Sequence, residues 1–172
     1  MIRIAFTASP RLLARLIRKM THGRASHSFI LYESQTWGGD WVAEATVGGV
    51  RMVPAEKSMH NVVAVYGCKF DASLALQKIR QHVGDGYDYA GLLFFGWAIL
   101  MWRLFRVKVR RPWRSSSEEF CSEFVAMFLK ACQDLELIPK QGALDPDPEK
   151  NNPEVLFSIL EACPSHFERM TI

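Results

Sequence analysis

Five short runs of strand-forming residues crowd the front of the chain, at 2–7, 27–32, 41–45, 50–53 and 62–67. IRIAFT alternates, HSFILY and WVAEA are separated by the turn-rich SQTWGGD, and the last two are rich in valine, so each predicts a strand. Helical signals lie between and after them. Ser9-Pro10 predicts a helix start, with Ser9 as N-cap and Pro10 at the first helical position. Asp71 predicts a capped helix to about His82, broken by Gly84 and Gly86. Further helices are expected from about Asp88, within SSSEEFCSEFVAMFLKACQDL and after Pro153, with PDPEKNNP (146–153) an exposed loop. The fold class is α+β. A length of 172 residues with 49% hydrophobic content fits one globular domain over 1–172, without internal repeats.

The charge balance of 21 Lys+Arg against 18 Asp+Glu, a net +3, is too small to specify a nucleic-acid partner. It conceals an uneven distribution. Residues 1–32 and 101–114 carry six basic side chains each and no acid, whereas 133–172 hold eight acids against three bases. The basic segments fit either a solvated surface or a patch for anionic lipid or another anionic polymer. Between them, YAGLLFFGWAILMW (89–102) is uncharged for 14 residues. As a helix it would extend about 21 Å, short of the ~30 Å hydrocarbon core, so a spanning segment is not expected. A buried core helix fits, as does a membrane-facing or partner-facing one, and the arginines after it extend possible anionic lipid contact to 89–114. The start MIRIAFTASPRLLARLIRKM lacks the apolar core of a secretory signal, which implies a cytoplasmic location at synthesis.

The four cysteines, Cys68, Cys121, Cys132 and Cys163, contain no CxxC-type pair. No zinc site, other metal or cofactor is expected, and free thiols are the default. Cys121 differs from the others. Ser115, Ser116 and Ser117 precede it as N-cap candidates, and Ser116 to Glu119 has capping-box spacing, so Cys121 is expected in the first helical turn or so. Backbone N–H groups and the helix dipole there favour a thiolate, and the same N–H groups can bind an oxyanion. Cys132, at i+11, continues the apolar stripe and reads as core.

A nucleophilic cysteine needs a base. Of five histidines, His27 opens a strand, which would hold it rigidly, whereas His60, His82 and His166 fall at loops or helix ends. Taken alone, a histidine in the position of His27 is more often a satisfied structural histidine. Glu44 on the next strand becomes its cross-strand neighbour if the intervening loop centres near Gln35 and Thr36. An acid within VAEA is costly to bury unpaired, although an exposed edge-strand position would also accommodate it.

The ordered set SHSFI, EA, GGV, YDY and FCSEFV, over roughly 22–130, resembles the circularly permuted papain-like cysteine hydrolases of the NlpC superfamily, in the YiiX/YaeF-like branch related to the lecithin:retinol acyltransferases. In that branch the histidine strand precedes the cysteine helix, as here. The resemblance implies a small antiparallel, barrel-like sheet packed on the cysteine-bearing helix. It implies Cys121 as nucleophile, His27 as general base and Glu44 as the polar residue orienting the imidazole. It places Tyr87 near the cleft as a substrate-binding phenol, a position that also fits a packing tyrosine, and leaves Glu123 as a helix-dipole residue. The implied chemistry is thiolate attack on an amide or ester carbonyl through an acyl-enzyme. Peptidoglycan-type peptides, such as a γ-D-glutamyl link, are one substrate class and lipid acyl groups the other. A missing signal and the apolar-then-basic 89–114 segment depart from exported relatives and suit a phage or prophage product or an intracellular amidase. A non-catalytic module on the same fold is the remaining alternative.

Overall fold

A computed structural model describes residues 1–46, 48–85, 97, 101, 105, 121–140 and 152–171. Six strands form one antiparallel sheet: β1 (Ile2–Thr7), β2 (His27–Glu33), β3 (Asp40–Thr46), β4 (Gly49–Pro54), β5 (Val62–Cys68) and β6 (Phe167–Met170). Their order is β4-β3-β2-β1-β5-β6. The helices are α1 (Leu12–Thr21), α2 (Ser73–Ile79), α3 (Cys121–Asp134) and α4 (Pro153–Glu161), with 3-10 turns at Ala55–Lys57 and Arg80–His82.

The near-continuous apolar runs of β1 and β2 follow from burial on both faces of the sheet. Ile4, Phe6, Ile30, Tyr32, Ala43 and Tyr66 belong to the larger core, shared with α2, α3 and α4. Ala5, Phe29, Leu31, Val42 and Val65 form a second cluster on the opposite side, covered by Val53, Ala55, Met59, Val62 and Met170. Alternation along a strand sends successive side chains to opposite faces, so both sets are apolar only where both faces are covered. Phe157 of α4 packs on Phe6 and Tyr66, with ring centroids 5.1 and 5.6 Å away. Pro153 begins that helix as expected, and the Asn152 side chain accepts from the Glu154 and Val155 amides at 2.9 and 3.0 Å.

Several boundaries differ from expectation. α1 starts at Leu12, because Ser9 Oγ accepts from the Arg11 amide in a preceding turn instead of capping the helix. α2 ends at Ile79 and tightens into the 3-10 turn to His82, after which Gly84 takes φ +98°. Asp71 still tethers its start, accepting from the Ser73 amide at 2.9 Å. β6 was not foreseen: four residues are too few for a periodic signal, and the strand forms by pairing with β5. The sheet order is linear among the described residues, with β4 and β6 at its edges, so closure into a barrel is not seen. The expected helix from Asp88, the 89–102 segment apart from Trp97 and Met101, the serine cap at 115–117 and the 146–151 part of the loop lie outside the described residues.

Candidate active site

The helix that carries Cys121 is held by its own pattern. Phe124, Val125, Phe128, Leu129 and Cys132 recur at helical spacing and are fully buried against β2, β3 and α2. Thus α3 rides over the sheet with Cys121 beside the start of β2. There Ser28 Oγ donates to the Cys121 carbonyl at 3.4 Å. The β2–β3 ladder runs only from Ile30/Ala43 to Glu33/Asp40, leaving the first residues of β2 outside it. The Ser28 and Ser122 amides donate to the Cys121 sulfur.

His27 is the first residue of β2 and its ring hydrogen-bonds with Cys121. Its Nε2 lies 3.0 Å from Glu44 Oε2, which assigns the thiol to Nδ1. The loop before β2 is fastened to α4. The Arg24 amide and Nε donate to Glu154 at 2.7 and 2.9 Å, and its guanidinium lies 3.8 Å from the Phe157 ring centre. Ser26 also donates its amide to Thr7 at 2.9 Å. These ties fix the backbone that presents the imidazole.

Glu44 is buried, with 3% of its side chain exposed against 24% for His27. Burial is tolerated because the carboxylate is fully partnered. Oε1 accepts from Arg51 Nε and Nη2 at 3.0 and 2.7 Å and from Ser58 Oγ at 2.8 Å, while Oε2 faces His27. Sequence reasoning missed Arg51 and Ser58. A signal for Arg51 existed: Thr46 pairs with Gly49, and so short a hairpin places Glu44 opposite Arg51. Ser58 arrives through the 3-10 turn, for which periodicity holds no cue.

The electrostatics follow from this geometry. Burial opposes a charge on His27, but the adjacent Cys121 thiolate and then Glu44 outweigh it and raise the imidazole to about 10. Burial likewise opposes a thiolate at Cys121. The His27 cation, its hydrogen bond and the Ser28 and Ser122 amides prevail and hold the thiol below its ordinary value. For Glu44, burial is overcome by His27, Arg51 and Ser58, which lower it to about 2. The remaining thiols behave oppositely: burial pushes Cys68 up to about 12 and also raises Cys132 and Cys163. One thiol of four is therefore biased toward the anion.

The structure brings together Cys121, His27 and Glu44. Tyr87 lies outside the described residues. Among the described residues no cluster of His, Cys, Asp or Glu is suited to hold a metal ion, and no helix is long and apolar enough to cross a membrane. No protein-family model matches the sequence, and no curated protein matches it significantly.

Proposed function

We propose that the chain is a cysteine hydrolase with a Cys121–His27–Glu44 triad. The observation that carries the reading is the convergence of a thiol biased toward the anion, an imidazole biased toward the cation and a buried carboxylate hydrogen-bonded to that imidazole. In this mechanism the Cys121 thiolate attacks an amide or ester carbonyl carbon. The Ser28 and Ser122 amides beside the thiolate are the candidate donors to the oxyanion that forms on the carbonyl oxygen as the sulfur attacks. The His27 imidazolium gives its proton to the leaving nitrogen or oxygen as the C–N or C–O bond breaks, leaving a thioester on Cys121. Water then attacks that thioester, passing a proton to His27, and the carboxylic acid departs with the thiolate restored. Glu44 holds the ring in the tautomer and orientation both steps require.

The resemblance to permuted papain-like hydrolases supports an amide substrate of the peptidoglycan-peptide type, such as a γ-D-glutamyl link. A lipid acyl substrate is the second reading. It is favoured by Trp97 and Phe105, which are 47% and 64% exposed in the apolar-then-basic segment. The test is competitive labelling with a thiol-reactive electrophile at neutral pH, mapped by peptide mass spectrometry. Cys121 should be modified first, and equal modification of Cys68, Cys132 and Cys163 would overturn the proposal. A muropeptide and a short-chain acyl ester, offered separately, then distinguish the two substrate classes.

A further inference from the structure

β4 and β5 follow one another in the chain, yet β3, β2 and β1 lie between them in the sheet. Residues 55–61 must therefore cross three strands. They cross on the face that carries the second apolar cluster, where Ala55 and Met59 pack against it. Glu44 is two residues from Val42, and His27 is two from Phe29, so alternation sends both toward that same face. The crossing segment and the His27–Glu44 pair thus share one side of the sheet. The segment is a strap with few fastenings. Its turn is closed internally, by the Ser58 and Met59 amides donating to the Ala55 carbonyl at 3.0 and 2.9 Å. Its far end is tied where the Asn61 carbonyl accepts from the Ala8 amide at 2.9 Å. None of Ala55–Lys57 is buried. Among the described residues, the strap makes one side-chain hydrogen bond to the sheet, from Ser58 Oγ to Glu44 Oε1 at 2.8 Å.

That bond falls on the oxygen that does not face His27. Arg51 reaches the same oxygen from β4, through Nε and Nη2 at 3.0 and 2.7 Å, while Oε2 lies 3.0 Å from His27 Nε2. Donors from two separate elements therefore grip Oε1. The carboxylate cannot turn about its last bond without giving up one of them, so Oε2 stays aimed at the imidazole. We propose that Ser58 is a positioning residue, through which the 55–61 strap holds Glu44 in the geometry that orients His27. Lifting the strap would remove one donor and admit water to the carboxylate. His27 on β2 and Arg51 on β4 are the charged groups that would still face it. The inference rests on the Cys121–His27–Glu44 reading and adds to it a dependence on a segment that touches neither the thiol nor the imidazole by any hydrogen bond among the described residues.

The experiment follows the Glu44 carboxyl by carbon-13 NMR titration of the full chain, with Glu44→Gln to assign its resonance. In Ser58→Ala the midpoint should rise from about 2 toward the ordinary 4.5, and in Ser58→Thr, which keeps the hydroxyl, it should stay near the parent's. Met59→Asn sets an amide over the apolar cluster and loosens the strap with the hydroxyl in place, so its midpoint should move the same way. That variant carries the test if Ser58→Ala fails to fold, which a melting curve at neutral pH decides. Turnover of the substrate should fall by about tenfold in Ser58→Ala through the rate constant, with apparent affinity kept, and Ser58→Thr should recover most of it. The titration needs no substrate, so absence of turnover in the parent would count against the hydrolase reading while the strap is still tested by the Glu44 midpoint. An unmoved midpoint in Ser58→Ala, a Ser58→Thr variant no better than Ser58→Ala, or a loss confined to substrate affinity would each overturn the assignment.

Discussion

Glu44 Oε2 stands 3.0 Å from His27 Nε2, yet the two residues are not directly opposite in the sheet. The β2–β3 register pairs Ile30 with Ala43, and its extension sets Glu44 against Phe29, leaving His27 on the diagonal of the same face. A diagonal pair suits this chemistry. The carboxylate reaches the far nitrogen of the ring from the strand side, and the near nitrogen remains directed to Cys121 on α3. The position opposite Glu44 on its other flank belongs to Arg51, which engages the second carboxylate oxygen.

The first prediction concerns pH. In the proposed mechanism the reactive ion pair exists between ionisation of Cys121 and loss of the His27 proton, so the rate of Cys121 alkylation or substrate turnover should be bell-shaped. Its acidic limb should lie below the ordinary thiol range and its alkaline limb near about 10. Removing the charge at Glu44 destabilises the imidazolium. Glu44→Gln should therefore move the alkaline limb downward while retaining measurable activity, since a neutral amide also orients the ring in Cys-His-Asn arrangements. An unchanged alkaline limb would show that Glu44 does not act on the ring.

Replacing His27, the proposed base, should have a larger effect. In His27→Ala the thiolate loses its cation and hydrogen bond, while the burial that opposes its charge persists. The Cys121 thiol should rise above its ordinary value, and turnover at neutral pH should fall by roughly 10²–10⁴. Reactivity should return as pH is raised, which a misfolded variant would not show. The check is the pH dependence of alkylation together with a melting curve.

Acid stability offers an independent reading of Glu44. Its carboxyl is lowered to about 2 when folded, against an ordinary value of 4.5, so it binds protons more weakly in the native state. Its contribution is fully present above the unfolded value and is lost as pH falls through the folded one. Melting temperature should thus decline more steeply between those limits in the parent than in Glu44→Gln. Parallel declines would exclude a stabilising buried carboxylate.

Much of the fold was legible because strand alternation is a local property. All five foreseen strands are present, as is the helix expected after Pro153. Boundaries slipped where side chains compete with the backbone: Ser9 and Asp71 bond to nearby amides from outside the helices they precede. β6 was illegible because its existence depends on β5, distant in sequence. In the site, His27 and Glu44 could be paired from hairpin spacing, although the loop's centre falls one position later than assumed. Ser28 could not be foreseen, because its role depends on where the β2–β3 ladder stops and where α3 docks.

Arg51 gives the final prediction. Its side chain is half exposed and its Nε and Nη2 both donate to Glu44 Oε1, so it supports the carboxylate oxygen that faces away from the imidazole. Arg51→Ala leaves Glu44 with Ser58 and His27 as partners in a site that excludes most water. Loss of a charge-assisted pair should cost about 1–2 kcal/mol, the lower part of the range for hydrogen bonds to charged groups because solvent already screens the arginine. Lysine cannot reproduce the two-pronged geometry, so Arg51→Lys should recover only part of that stability. If the arginine acts by fixing Glu44, both variants should lower turnover through the rate constant more than through apparent substrate affinity. The acidic stability loss attributed to Glu44 should also be smaller and end at a higher pH, because without Arg51 the folded carboxyl lies closer to its ordinary value. A change confined to substrate affinity would instead assign Arg51 to direct substrate contact, and denaturant melts with steady-state kinetics on the two variants decide between these outcomes.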